Sequence, residues 1–215
     1  MIIKLIYKLG VSIASKLGMY IERNINYTNT IRRELKYGVT LDAGCGTGEI
    51  TKQIAKKHHG VIIALDLSFK ALRTIKDDKI LCICADAHAI PLRNKSINNV
   101  VSTSLIEHLR KPEEHLQEAA RILKPGGKLI IQIPNLNYFI EPHTKFPLLS
   151  FLPSNVKYKV LEKLNYPYIN FEITIKKIIN QMIKYNLTPV KIIKYYHRIR
   201  TPPWPPSWII IAVRK

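Results

Sequence analysis

Leu41-Asp42-Ala43-Gly44-Cys45-Gly46-Thr47-Gly48-Glu49-Ile50 ends an apolar run, turns on three glycines and opens an amphipathic stretch. That order reads as a strand end, a hinge and a helix start. The carboxylate just ahead of the glycines decides what the loop can hold. A loop that cradles a pyrophosphate offers backbone N–H groups and avoids fixed negative charge. Asp42 suits a small cationic ligand instead, one carrying an ammonium or sulfonium group. The spacing agrees, because Gly44, Gly46 and Gly48 are each two apart. A dinucleotide fingerprint needs its third glycine or alanine three residues after the second, and Glu49 stands there.

Working outward, short apolar runs alternate with amphipathic stretches from Val39 to Pro134, the pattern of βαβ units around a parallel sheet. Strands are expected at 39–43, 61–65, 80–84, 99–103 and 128–133, with helices at 49–57, 68–76 and 113–123. Pro112 falls near the first turn of the third helix, where its missing N–H costs nothing. Pro125-Gly126-Gly127 predicts a tight turn before the fifth strand. Beyond it, 135–170 holds Pro142, Pro147, Pro153 and Pro167 among aromatic and leucine residues and reads as an ordered insertion. A helix over 174–185 and strands over 189–196 and 208–213 close the chain. Thr201-Pro202-Pro203-Trp204-Pro205-Pro206 lacks ladder donors and is expected to loop between those strands.

The glycine loop resembles the cofactor loop of the class I S-adenosylmethionine-dependent methyltransferases (methyltransferase type 11-like), and the likeness runs from about Leu41 to Asn135. It implies an α/β fold, a doubly wound seven-stranded Rossmann-like methyltransferase sheet with an inserted lid after the fifth strand. A single domain would span 1–215: an N-terminal helical cap (1–37), the cofactor-binding core (38–134), a substrate lid insertion (135–170) and a closing helix with the last two strands (171–215).

The implied cofactor is S-adenosyl-L-methionine. Gly44, Gly46 and Gly48 would admit close backbone approach to its methionine end, and Asp42 would answer the ammonium, directly or through water. Asp66 ends the second strand 18 residues past Gly48 and is placed to take both ribose hydroxyls. Ser68 is the better-placed helix cap, which frees Asp66 for that role. Leu67 would offer an apolar surface to the adenine. Asp86 resembles the family residue that accepts from the adenine amino group, with the Ala87 N–H beside it. Ser102 opens Ser102-Thr103-Ser104-Leu105-Ile106-Glu107-His108-Leu109, similar to the Glu-His-Leu ending of this superfamily, and would border the methyl group.

Methyl transfer is an in-line displacement from an excellent leaving group. The enzyme aligns the nucleophile, excludes water and, for a hydroxyl, removes a proton. His143 and His108 are the expected catalytic residues, with Tyr138 as a further base; His143 follows the fifth strand, and histidine is the side chain whose ordinary titration range suits a base near neutral pH. Some quinone-biosynthesis and small-RNA 3′-end methyltransferases hold a divalent metal with Glu-x-x-Glu-His at this point. Ser104 replaces the first glutamate here, so no metal is expected, although Glu141 and His143 have ligand chemistry.

The net charge of +19 is uneven. Residues 135–215 hold 13 basic and 3 acidic side chains and 13 of the 18 aromatics. Such an excess points to anionic company: an anionic amphiphilic or small-molecule acceptor, nucleic acid, or a membrane surface. Phe146-Pro147-Leu148-Leu149-Ser150-Phe151-Leu152-Pro153 is too apolar for a bare loop and would cover a substrate cleft or meet a lipophilic partner. Residues 2–17 fit a basic amphipathic helix that either caps the cleft or lies on a membrane. No apolar run reaches the roughly 20 residues a bilayer span needs. Three cysteines without metal spacing and no signal cleavage site suggest a cytoplasmic chain, with membrane association as a variant. A small-molecule or lipid-like acceptor is therefore the leading expectation. An RNA methyltransferase, a non-catalytic methyltransferase-like module and a nicotinamide-dependent oxidoreductase are the alternatives.

Overall fold

The computed structural model describes residues 5, 6, 8, 9, 12, 23–136, 148–195 and 207–215. Helix α1 (Arg23–Glu34) leads into β1 (Thr40–Ala43), α2 (Glu49–Ala55), β2 (Ile62–Asp66), α3 (Phe69–Leu72) and β3 (Ile80–Cys84). Then come β4 (Ile97–Thr103), α4 (Pro112–Ile122), β5 (Leu123–Pro134), α5 (Ser154–Lys163), α6 (Ile175–Lys184), β6 (Leu187–Tyr195) and β7 (Ser207–Arg214). The strands form one seven-stranded sheet in the order β3-β2-β1-β4-β5-β7-β6. β7 runs antiparallel to both neighbours and the other pairings are parallel. Strand order therefore reverses beside β1, and an open α/β sheet binds its ligands at the carboxyl ends there.

Period-two alternation explains how one sheet supports two helical layers. Leu41, Leu65, Val100, Leu129, Ile131 and Ile210 share a core with Leu116, Ile178 and Met182 of α4 and α6. Their neighbours Ile62, Ala64, Val101, Ile130 and Ile211 face the other way, against Ile31, Ile54 and Leu72 of α1 to α3. Each fully buried Leu or Ile contributes roughly 1.5–3 kcal/mol over exposure.

Several expectations shift in detail. The Pro125-Gly126-Gly127 turn lies inside the span of β5: Ile97 pairs with Leu123 and Asn99 with Lys128, so the turn loops out of an irregular ladder. Helix α3 stops at Leu72 rather than 76 because Thr74 and Ile75 tighten onto the carbonyls three residues back. The Thr74 hydroxyl also takes the Ala71 carbonyl, competing with helix continuation. In the insertion, α5 was not anticipated; its apolar positions Val156, Val160, Leu161 and Leu164 follow a helical period once Pro153 is read as the residue before a helix. Near the N-terminus, Ile6 packs against Leu149 and Val160 while Leu5, Lys8, Leu9 and Ser12 are exposed; the other residues of the 2–17 segment lie outside the described residues. Among the described residues, no helix is long and apolar enough to cross a membrane.

Candidate active site

The turn after β1 is held from both sides. The N–H groups of Gly44 and Cys45 both donate to the Leu65 carbonyl at the end of β2, at 2.8 and 3.0 Å. The Gly46 N–H donates to Asp66 Oδ2 at 2.7 Å, and the Ser68 N–H to Asp66 Oδ1 at 2.8 Å. One carboxylate thus locks the glycine loop to the second strand. Gly44, Gly46 and Gly48 have φ of 73°, 53° and 73°, a region where glycine is at home. Their packing differs. A Cβ on Gly44 would lie 2.7 Å from Leu105 Cδ1, and one on Gly48 2.6 Å from Ile75 Cδ1. A Cβ on Gly46 would meet nothing within 4 Å. The close approach expected at all three glycines is made by the protein's own side chains at two of them, and only Gly46 faces open space.

That contrast gives a measurable pair. Gly48→Ala is expected to destabilise the fold by roughly 1–3 kcal/mol in urea unfolding, from left-handed backbone and crowding together. Gly46→Ala is expected to cost only about 1 kcal/mol of stability. It should nonetheless weaken S-adenosylhomocysteine binding roughly tenfold or more, because its methyl enters the space the ligand's backbone contacts need.

Asp42 lies between Leu41 and Ala43, which face the α4 side, so alternation turns it under the first turn of α2. There the Thr51 hydroxyl donates to its Oδ2 at 2.5 Å. Its Oδ1 is buried with no hydrogen-bond partner. Burial pushes the Asp42 carboxyl up to about 7, against the opposing Thr51 bond, and the nearby Asp66 charge adds to the rise. A buried acceptor at a strand end, beside a turn that opens at Gly46, fits a ligand bringing a cationic donor. The same burial, with Asp42 and Asp66 adding charge, pushes the Cys45 thiol far up, so it is no nucleophile.

At the tip of β2, Leu67 is 73% exposed beside half-buried Asp66. After β3, Asp86 Oδ1 accepts from the His88 N–H at 2.8 Å and stands 2.7 Å from His88 Nδ1. The backbone N–H of His88, then burial opposing it, then the ring contact hold the net Asp86 carboxyl below its ordinary range. Ala87 is buried, and its carbonyl is 3.0 Å from His115 Nδ1.

Ser102 requires a correction. It is fully buried, and its hydroxyl is 2.8 Å from His115 Nε2 on α4, so that hydroxyl does not present itself to the crevice. His108 closes the turn after β4, with Nδ1 2.8 Å from the Tyr168 carbonyl. The Asn170 N–H donates to the Glu107 carbonyl at 2.7 Å, so the stretch between α5 and α6 is stitched to the turn after β4. Ser104, at the position where some relatives place a metal-binding glutamate, has φ of 50° and donates through its hydroxyl to Gln132 Oε1 at 2.9 Å. His143, Tyr138 and Glu141 lie outside the described residues. Thr51, His88 and His115 were missed in the sequence. The parity of Ser102 with Val100, and of His115 with Leu116 and Ala119, was the available signal for the last.

Residues 41–131 match the family model of the methyltransferase domain. A ubiquinone biosynthesis O-methyltransferase of Coxiella burnetii is 25% identical over 158 residues, 71% of this chain and 61% of that protein, so the chain spans under two thirds of its length. A SAM-dependent methyltransferase of Thermotoga maritima superposes with a TM-score of 0.71 at 18% identity, covering 99% of this chain and 100% of that one. Geranyl diphosphate C-methyltransferase of Streptomyces coelicolor, solved with Mg2+, geranyl diphosphate and S-adenosyl-L-homocysteine, gives a TM-score of 0.65 at 14% identity over 88% of this chain and 77% of that one. Residues 41–131 are thus a methyltransferase domain, set in the sheet shared with S-adenosylmethionine-dependent methyltransferases, and S-adenosylmethionine is the cofactor.

Proposed function

We propose that this methyltransferase acts on a small-molecule or lipid-like acceptor that is amphiphilic and anionic. The observation that carries this reading lies where the lid meets the end of β4. Arg110 sits over the Tyr168 ring at 5.4 Å and Lys157 over the Phe171 ring at 5.2 Å. Tyr158 stacks on Tyr168 with centroids 6.2 Å apart. Desolvation lowers the Lys157 ammonium from its ordinary value. Cations held on aromatic faces, together with Leu148 and Phe151 exposed in the stretch before α5, suit a ligand with an apolar body and an anionic head. Geranyl diphosphate, bound by the Streptomyces coelicolor structure, and the quinone pathway of the Coxiella burnetii relative belong to that chemical class.

In this reading the division into cap, core, lid and closing strands assigns cofactor and acceptor to different segments. Asp42 takes the ammonium, Gly44, Gly46 and Gly48 shape the loop, Asp66 takes the ribose hydroxyls, Leu67 lies along the adenine, and Asp86 with Ala87 reads its edge. The bound cofactor supplies an activated methyl on a sulfonium sulfur. The protein's share is to align the acceptor, shed water from it and take a proton. His143 and His108 are the proposed bases.

An RNA acceptor is the competing reading, favoured by the 13 basic against 3 acidic side chains after residue 134. Incubation of the protein with methyl-labelled cofactor and a cell extract, followed by fractionation, separates the two. Label in the lipid-extractable or small-molecule fraction is expected. Label in RNA, with binding that collapses between low and moderate salt, would overturn the acceptor assignment.

A further inference from the structure

We propose that His115 is a positioning residue that sets recognition of the cofactor's adenine, acting through the Ala87 carbonyl on the loop that carries Asp86. The proposal rests on the assignment of Asp86 to the adenine amino group.

His115 lies on the inward face of α4, completely buried, with no apolar reason to be a histidine among Leu116, Ala119 and Ala120. Both ring nitrogens are engaged. Nδ1 is 3.0 Å from the Ala87 carbonyl and Nε2 is 2.8 Å from the Ser102 hydroxyl. A carbonyl only accepts, so Nδ1 carries the proton and Nε2 accepts from Ser102. Burial, opposed by the Ala87 bond, holds the ring down to about 4, so this tautomer persists at neutral pH. The result is a fixed strut from β4, the central strand, across to the loop after β3.

What the strut holds is the Asp86 loop. Among the described residues β3 is the sheet's edge strand, paired only with β2, so the ladder restrains this loop from one side. His88 fixes the carboxylate locally, with both its N–H and Nδ1 directed at Oδ1. Oδ2 is then the oxygen turned to the adenine amino group. A hydrogen bond between a carboxylate and a buried amino group discriminates only while its geometry holds.

The test uses two ligands on the intact chain: S-adenosylhomocysteine, and S-inosylhomocysteine, in which a carbonyl replaces the adenine amino group. Calorimetry on the wild type is expected to favour S-adenosylhomocysteine by roughly tenfold or more. In His115→Leu the ratio should fall below about threefold. His115→Asn, whose amide donates where Nδ1 did, should restore most of the ratio. Should His115→Leu fail to fold, Asn against wild type in combination with Ser102→Ala reads the same quantity: Ser102→Ala in the His115→Asn background should leave the ratio unchanged.

A role in folding alone would lower the melting temperature or weaken both ligands equally and leave the ratio intact, and that result overturns the proposal. So does a ratio in the Asn variant as low as that in Leu. A wild type that binds both ligands equally would instead sink the assignment of Asp86 itself.

Discussion

Asp66→Ala is expected to weaken S-adenosylhomocysteine binding by roughly a hundredfold or more, the largest single effect in the molecule. Two losses combine. Charge-assisted bonds to two ribose hydroxyls contribute about 1.5–3 kcal/mol each. The carboxylate also accepts from Gly46 and Ser68, so its removal frees the glycine loop from the second strand. Asp66→Asn separates the two parts, since one amide oxygen can still accept from Gly46. It should retain the loop's protection from hydrogen exchange while losing most of the affinity. Wild-type affinity in Asp66→Ala would show that the ribose is bound elsewhere.

The second large effect concerns Asp42 and pH. Its buried carboxyl, pushed up to about 7, is still protonated in the folded apoprotein at pH 5 to 6.5, whereas the unfolded chain has lost that proton. Its contribution to stability is therefore full below about pH 4 and is lost as pH rises through 7, a span of about 4 kcal/mol. His115 behaves in the opposite sense. Its ring, held down to about 4, stays neutral in the folded state while the unfolded ring takes a proton below its ordinary 6.5. That contribution is full above pH 6.5 and is lost as pH falls towards 4, a span of about 3 kcal/mol.

Between pH 5 and 6.5 the two slopes oppose each other, so urea unfolding of the wild-type apoprotein should be nearly flat there. Asp42→Asn removes one of them. Its stability is expected to fall by about 1.4 kcal/mol per pH unit on acidification over that window. The ligand's ammonium needs the Asp42 carboxylate, so wild-type affinity for S-adenosylhomocysteine should rise with pH and level off above about 7. Asp42→Asn should lose that pH dependence and bind roughly 10- to 100-fold more weakly at pH 8. A pH-independent wild type would place the ammonium away from Asp42.

The parts of the site nearest the sequence motif were the most legible. Asp42 in β1, the three glycines in the turn after it and Asp66 at the end of β2 lie where local signals put them, since strand ends, hinge residues and a carboxylate 18 positions on are all legible in sequence. The sheet followed from alternation of runs, with the strand ends shifted and the Pro125-Gly126-Gly127 turn drawn inside β5. What escaped was set by tertiary contact. Ser102 stands at the right height in β4 but on the face that meets α4, and pleat parity rather than proximity to the motif decides that. His115 is a single polar residue on an apolar helical face: its spacing with Leu116 and Ala119 signals burial, but its partners Ser102 and Ala87 are set by tertiary contact. The Thr51 bond to Asp42 crosses from helix to strand and leaves no mark in the spacing. Helix α5 was hidden by prolines at 147 and 153, the second of which marks its start.

Thermal unfolding of the intact chain with S-adenosylhomocysteine or with NAD tests the central claim most directly, since a ligand that binds the native state raises the melting temperature. A saturable rise with S-adenosylhomocysteine, absent in Asp66→Ala, and none with NAD is expected. A rise with NAD alone, or no response to S-adenosylhomocysteine from folded protein, would contradict it.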